Sequence, residues 1–309
     1  MPSLRKILKY LFVLGPVVSA LPAPIPKPGT VLKPYPRARL DVRQAASQGL
    51  NDVDILQFAL TAEHLEATFY RQGFAKFPAS DFQALGLNDA NIKSLLAVGQ
   101  SEATHVSTLL SAIAGAGFEP VQPCVYNFGF TDAAGMVATA RILEAVGVSA
   151  YLGAAPLINS SAILGVAATI ATVEARHQTF IRVASSANPI PAAFDTPLGP
   201  RAVFTLAAQF ITSCPAGSNL AIQAFPSIAL QNPMNAVAGQ NLALADAAQP
   251  AGATNCAFVG PTGTQFTDLT NGACPVPQGL GGETYMMVTN AKSIADEAVL
   301  AGPSVIQAS

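Results

Sequence analysis

Between residues 51 and 186 the sequence repeats one pattern four times: a helical stripe of apolar side chains with a glutamate set in its middle. The first block reads Leu56, Ala59/Leu60, Glu63, Ala67, Tyr70, Phe74 and starts at the Asn51-Asp52 cap signal. The second follows Asn88-Asp89 and reads Ile92, Leu95/Leu96, Gly99, Glu102, Val106, Leu109, Ile113, ending near Gly115-Ala116-Gly117. The third opens at Thr131-Asp132 and reads Val137, Ala140, Glu144, Val148, Tyr151, stopping before Pro156. The fourth runs from about Asn159 to Ala187 and reads Ile163, Val166/Ala167, Ile170, Glu174, His177, Ile181. All four follow the i, i+3, i+4, i+7 spacing of an amphipathic helix, so a four-helix bundle is expected.

The chain has only 8 Glu and 3 His, and two of those histidines stand three residues after a stripe glutamate, in Glu102-x-x-His105 and Glu174-x-x-His177. The spacing puts both side chains on one helix face, about 4.5 Å apart along the axis. A carboxylate buried without a partner costs several kcal/mol or takes up a proton. Few cations stand near these four: Lys93 is more than two turns from Glu102, and Arg176 points away from the Glu174 face. Arg141 and Arg176 are expected to face solvent or bind backbone carbonyls. Two divalent metal ions would balance Glu63, Glu102, Glu144 and Glu174. The order Glu, Glu-x-x-His, Glu, Glu-x-x-His is how a bundle builds a carboxylate-bridged two-metal site. Oxygen and imidazole ligands suit Fe or Mn. The expected metal ligands are Glu63, Glu102, His105, Glu144, Glu174 and His177.

Tyr70 lies seven after Glu63 and Tyr151 seven after Glu144, so each tyrosine shares a face with its glutamate and the two halves match. This match bears on the choice between Glu63 and Glu66, both near the interior stripe. Glu144 has Gly147, not Glu, three residues later; by symmetry Glu63 is the ligand and Glu66 the extra group. Glu66 and Tyr70 are then candidates for moving protons beside the metals. His64 is rotated about 100° from Glu63 and reads as a packing histidine.

Outside the bundle the sequence is less regular. Arg5, Lys6 and Lys9 precede the apolar Tyr10–Leu14, and Val18-Ser19-Ala20 fits a cleavage site, so residues 1–20 read as a secretory signal peptide. The mature chain is expected to be extracellular, with no membrane span left after cleavage. Residues 21–50 form a Pro-rich leader. The apolar Leu157–Val173 is short for a membrane span and reads as a buried core helix. Residues 188–309, rich in Gly, Pro, Thr, Asn and Gln, read as an irregular or β-containing extension of the 51–187 bundle. A short helix is expected near Arg201–Ile211, and strands at Phe258-Val259 and Tyr285–Thr289. Cys124, Cys214, Cys256 and Cys274 form no C-x-x-C pair, so two disulfides are expected, with three possible connectivities. A net charge of −2 leaves no electrostatic footprint for nucleic acid. Nothing in the sequence fixes an oligomeric state.

The segment from Asp54 to Tyr70 (DILQFALTAEHLEATFY) resembles the opening helix of a ferritin-like family of secreted fungal proteins and of bacterial relatives called desiccation-related. Ser101-Glu-Ala-Thr-His105 and Val173-Glu-Ala-Arg-His177 resemble the second and fourth helices of that family, and Asp296…Ala301-Gly302-Pro303 its fungal C-terminal end. The resemblance covers about residues 50–190 and, weakly, the tail. It implies the ferritin-like fold and a dimetal site, with all six ligand positions filled. Some fungal members are named stress-response proteins, and manganese catalases resemble this ligand order. The expected activity is therefore a dimetal oxidoreductase acting on O2 or peroxide. The alternative is a non-catalytic, metal-stabilised structural or cell-wall interaction protein.

Overall fold

The computed structural model describes residues 31, 33, 50–216, 218, 222–231, 236–245 and 250–308. The expected signal peptide and nearly all of the Pro-rich leader lie outside the described residues. One leader residue, Lys33, bridges to the end of the second bundle helix: its N–H donates to the Gly117 carbonyl, and its own carbonyl accepts from Glu119 N–H.

Four long helices form the bundle: α1 (Asp52–Lys76), α3 (Asp89–Gly115), α4 (Ala133–Ala154) and α5 (Ser161–Ala184). A short α2 (Ala79–Ala84) joins the first two. Each long helix starts at a side chain that accepts an orphan backbone N–H. Asn51 accepts from Val53 and Asp54 while the Asp54 carboxylate accepts from Asn51 N–H, a reciprocal cap. Asn88, Asp132 and Ser160 cap α3, α4 and α5 in the same sense. Helices α1 and α3 pack as one hairpin, α4 and α5 as another. The connection between the hairpins, residues 116–132, carries the short strand β1 (Val125–Tyr126). This is the ferritin-like four-helix core. By length and composition α4, with the turn after it (Ala133–Leu157), is apolar enough to cross a membrane. In the fold it is an inner helix: 67% of its most apolar window is buried, with Glu144 buried in its middle.

The Leu157–Val173 stretch departs from expectation. It is not buried: Ala162, Leu164, Gly165, Ala168 and Thr169 are exposed, and Ile170 is its one buried residue. Ile163, Val166 and Ala167 are half-buried along a crevice rather than in the core.

After α6 (Pro200–Ala208) the chain adds short strands β2 (Ile211–Ser213) and β3 (Asn241–Ala243), then β4 (Asn255–Gly260), β5 (Gly263–Asp268), β6 (Ala273–Pro275), β7 (Gly282–Thr289) and β8 (Val299–Ala308). The main sheet has the order β5-β4-β7-β8, antiparallel throughout, with Phe258 opposite Met286 and Tyr285 opposite Val305. Alternation sorts its side chains. Ala257, Val259, Tyr285 and Met287 join the core that contains Leu60, Val146 and Val203. Cys256, Phe258, Met286 and Val288 face the other way, onto Leu242, Cys274 and Val276. Both faces of β4 and β7 are covered, which is why they read as unbroken apolar runs. The disulfides are Cys124–Cys214, beside the β1–β2 ladder, and Cys256–Cys274, joining β4 to β6.

Charge fastens the sheet to the bundle. Glu283, at the start of β7, accepts from Arg141 Nε of α4 (2.6 Å), from Gln178 Nε2 of α5 (3.1 Å) and from Arg182 Nη1 of α5. Arg141 is therefore not directed to solvent or to backbone carbonyls as expected; Arg176 is exposed. Next to this cluster Tyr285 donates to the Ala145 carbonyl at 3.0 Å and pairs with Ser149 Oγ at 2.8 Å. Replacing Glu283 with Gln leaves the buried Arg182 guanidinium without its hydrogen-bonded carboxylate, and the unfolding free energy should fall by about 3–5 kcal/mol. Urea denaturation followed by circular dichroism measures it; a loss under about 1 kcal/mol would show that the cluster does not hold the sheet.

Candidate metal centre

Each bundle helix delivers its stripe glutamate to one point. Glu63 comes from α1, Glu102 and His105 from α3, Glu144 from α4, Glu174 and His177 from α5. All four glutamates are 0% exposed, and both histidines are buried. Two quartets result: Glu63, Glu102, His105 and Glu174, and Glu102, Glu144, Glu174 and His177. Within each, the four candidate ligand atoms lie within 4.8 Å of one another. The quartets share Glu102 and Glu174.

The interatomic geometry suits cations better than protons. His105 Nδ1 lies 3.1 Å from Glu102 Oε2, 3.1 Å from Glu174 Oε1 and 3.3 Å from Glu63 Oε2. One N–H donates well to one acceptor, so three carboxylates around one nitrogen cannot all be satisfied by it. His177 Nδ1 approaches Glu102 Oε1 to 2.7 Å and Glu144 Oε2 to 3.3 Å, but without hydrogen-bond alignment. Glu63 Oε2, Glu102 Oε1, Glu144 Oε2, both Glu174 oxygens and His177 Nδ1 are thus buried without a hydrogen-bond partner among the described residues. Buried polar atoms in native proteins are almost always paired. Here the unpaired ones are all carboxylate oxygens and an imidazole nitrogen converging on two points, the donor set of hard or borderline divalent ions. The residues fit a pair of such ions.

Burial and close approach shift the proton affinity of every group in the quartets. Burial raises the pKa of Glu63 to about 7 against the pull of His105, and raises Glu144 despite His177. Burial and the neighbouring carboxylates drive Glu174 and Glu66 well above the usual range. Glu102 is the exception. Burial raises it too, but the hydrogen-bonded His105 and the adjacent His177 outweigh that and hold it at about 2. Burial lowers the histidines, yet their carboxylate partners win and lift His105 to about 12 and His177 to about 10.

The surrounding groups orient the candidate ligands. Tyr70 of α1 donates to Glu144 of α4, and Tyr151 of α4 donates to Glu63 of α1 at 2.6 Å. The heptad spacing placed each tyrosine beside the glutamate of its own helix; the fold pairs each with that of the other hairpin. Ser101 Oγ lies 2.8 Å from His177 Nε2 while donating to the carbonyls of Ala97 and Val98. It therefore accepts from Nε2–H and leaves Nδ1 free for a cation. Ser101 was missed as a functional residue; its place directly before Glu102 is the signal that could have found it. His64 turns away, its Nε2 3.1 Å from the Val121 carbonyl, as a packing histidine would.

Glu66 belongs to neither quartet, yet is buried beside them. A Cβ on Gly147 would lie 2.8 Å from both Glu66 Oε1 and Glu174 Oε2, so glycine at this point makes room for the extra carboxylate. Glu66 and Gly147 also line a 520 Å³ cavity walled by α1, α4, α6 and β8. Glu66 thus stands between that cavity and Glu174.

Residues 51–187 match the family model of a ferritin-like domain. Protein rds1 of Schizosaccharomyces pombe (strain 972 / ATCC 24843) is 28% identical over 184 residues, which cover 59% of this chain and 45% of that protein. The chain spans less than half the length of this curated relative.

Two outcomes test the geometry. At pH 7 His105 and His177 both hold the proton that an ion at Nδ1 must displace, since their pKa values lie near 12 and 10. Metal affinity should therefore be weak at low pH and rise with pH, by roughly one decade per pH unit for each proton displaced from the histidines and from the raised carboxyls Glu63, Glu144 and Glu174. Calorimetric titration with Mn²⁺ in buffers of different ionisation enthalpy counts them; release of no protons refutes the assignment of Nδ1. Ser101→Ala should weaken metal binding by about 10–100-fold without unfolding the bundle, as loss of a ligand-orienting partner does.

Proposed function

We propose that this chain is a secreted oxidoreductase whose bundle holds two divalent ions, Fe or Mn, and acts on O2 or peroxide. One observation carries the reading: two buried carboxylate–imidazole quartets that share Glu102 and Glu174. Glu102 and Glu174 would be shared by the two ions, Glu63 and His105 would hold one, and Glu144 and His177 would hold the other. When bound, such a pair supplies Lewis acidity and redox change at adjacent positions. Secretion rests on the basic-then-apolar N-terminus and is consistent with two disulfides among four cysteines.

The protein's own groups have distinct tasks in this reading. Tyr70 and Tyr151 hold one oxygen of Glu144 and of Glu63, fixing the direction of the other. Glu66, buried beside the quartets and facing the 520 Å³ cavity, is the group that would hold and pass a proton there, its burial raising its proton affinity. The cavity's lining mixes apolar side chains with Thr205, Gln209, Ser227 and Ser304, and the exposed Gln209 and Ser227 open it to water.

A second reading is favoured by the same burial. Ions joining four helices would stabilise the bundle whether or not anything turns over, making a structural or cell-wall interaction module.

Metal analysis and peroxide consumption, measured on one preparation, separate the two. The enzyme reading expects about two Fe or Mn per chain with turnover. Glu66→Gln should then keep the metal and lose roughly 10²–10⁴-fold in rate. Glu102→Ala should lose the metal. Metal without turnover, together with a large fall in melting temperature on chelation, supports the structural module. No metal after reconstitution refutes both.

A further inference from the structure

The exposed apolar stretch that opens α5 has a counterpart. The last two turns of α3 face it across a crevice of about 240 Å³, floored by α1 and α4. The α5 wall runs from Ala162 to Ile170, about 12 Å of helix. Walls from all four long helices make it a slot along α5. The slot opens outward: Ala162 is exposed, and Thr108, Ala112, Ile163 and Ala167 are half-buried.

Its chemistry is narrow. No lining side chain is charged, and only Thr108 and Tyr151 carry polar atoms. The Thr108 hydroxyl already donates to the Thr104 carbonyl, and Tyr151 donates to Glu63. No free donor remains for a sugar, a peptide or an anion, and a buried polar group without a partner is costly. Apolar cavities smaller than this one, about 150 Å³, stay dry and take up hydrocarbons.

Position ties the slot to the quartets. Leu109 on its α3 wall stands one turn after His105, and Ile170 on its α5 wall one turn before Glu174. Tyr151 lines the slot and bonds Glu63, so its ring separates the inner end from the candidate metal site.

We infer that this slot is a binding site for an alkyl chain, which lies along α5 with its inner end against Tyr151 and any polar head outside. As a substrate site the slot rests on the proposed dimetal oxidoreductase; as a binding site it stands on the geometry alone.

The test is calorimetric titration of the full mature chain with octanol, with metal content measured on the same samples. Saturable binding with a negative heat-capacity change is expected, as for buried apolar surface. Ala167→Phe and Ala112→Phe each fill the slot and should weaken binding at least tenfold while metal content stays that of the wild type. No saturable binding to the wild type, or unchanged affinity in either folded variant, overturns the proposal. If neither variant folds, crystals of the native protein soaked in bromo-octanol decide. Bromine in the slot supports the assignment, and bromine only elsewhere overturns it. Octanol binding by a protein that takes up no metal would sink the dimetal reading and leave the slot standing.

Discussion

The bundle is organised around four buried carboxyl groups that must share either protons or cations. Four carboxylates with no exposure face only two imidazoles, and each ion withdrawn from water costs several kcal/mol before any partner is counted. Each carboxylate is carried by a different helix, so their repulsion acts directly against the packing of the four. Cations between them reverse that sign: the same oxygens then draw the helices together. The tyrosines show which joint matters most. Tyr70 and Tyr151 cross from one hairpin to the other, so the α1–α3 and α4–α5 pairs are registered against each other at the level of the glutamates.

The C-terminal sheet meets the reverse problem. Two arginines, Arg141 and Arg182, project from α4 and α5 into the space the sheet covers, and β7 begins with the one carboxylate that answers both. An ion cluster of this kind contributes less to net stability than to choosing one arrangement, because either partner left alone is strongly unfavourable. It fixes where β7 lands, and alternation along β7 then sends Tyr285 and Met287 into the bundle core. The sheet forms the outer wall of the Glu66 cavity through β8, which connects the C-terminal part of the chain to the chemistry of the N-terminal part.

What the sequence made legible was whatever depends on local period. The caps at Asn51, Asn88 and Asp132, the four stripes, and the Glu-x-x-His words are all set within a turn or two of helix. Contacts set by the approach of distant elements were not legible. Glu283 is 142 residues from Arg141, and nothing local to either announces the other. The tyrosines show both sides: their spacing placed them on the glutamate face, but only the antiparallel packing decides that each serves the opposite hairpin. Leu157–Val173 was misread for a related reason. Composition reports that a segment is apolar, and a helix lining an open crevice has the same composition as one buried in a core.

The two halves of the bundle match closely, so their differences locate function more sharply than their likenesses. Glu63, Tyr70 and Glu144, Tyr151 are equivalent, as are the two Glu-x-x-His words. Ser101 before Glu102 has Val173 as its counterpart before Glu174, so only His177 has a serine set against its outer nitrogen. Glu66 has Gly147 as its counterpart, and the missing side chain on α4 is what lets the extra carboxylate reach the Glu174 side of the centre. Glu66 stands where a proton-bearing group joins the centre to the 520 Å³ cavity, and Tyr151 stands where an apolar slot ends against it. The candidate centre therefore has two unlike approaches, a cavity that reaches a carboxyl group and an apolar slot that ends against a tyrosine ring.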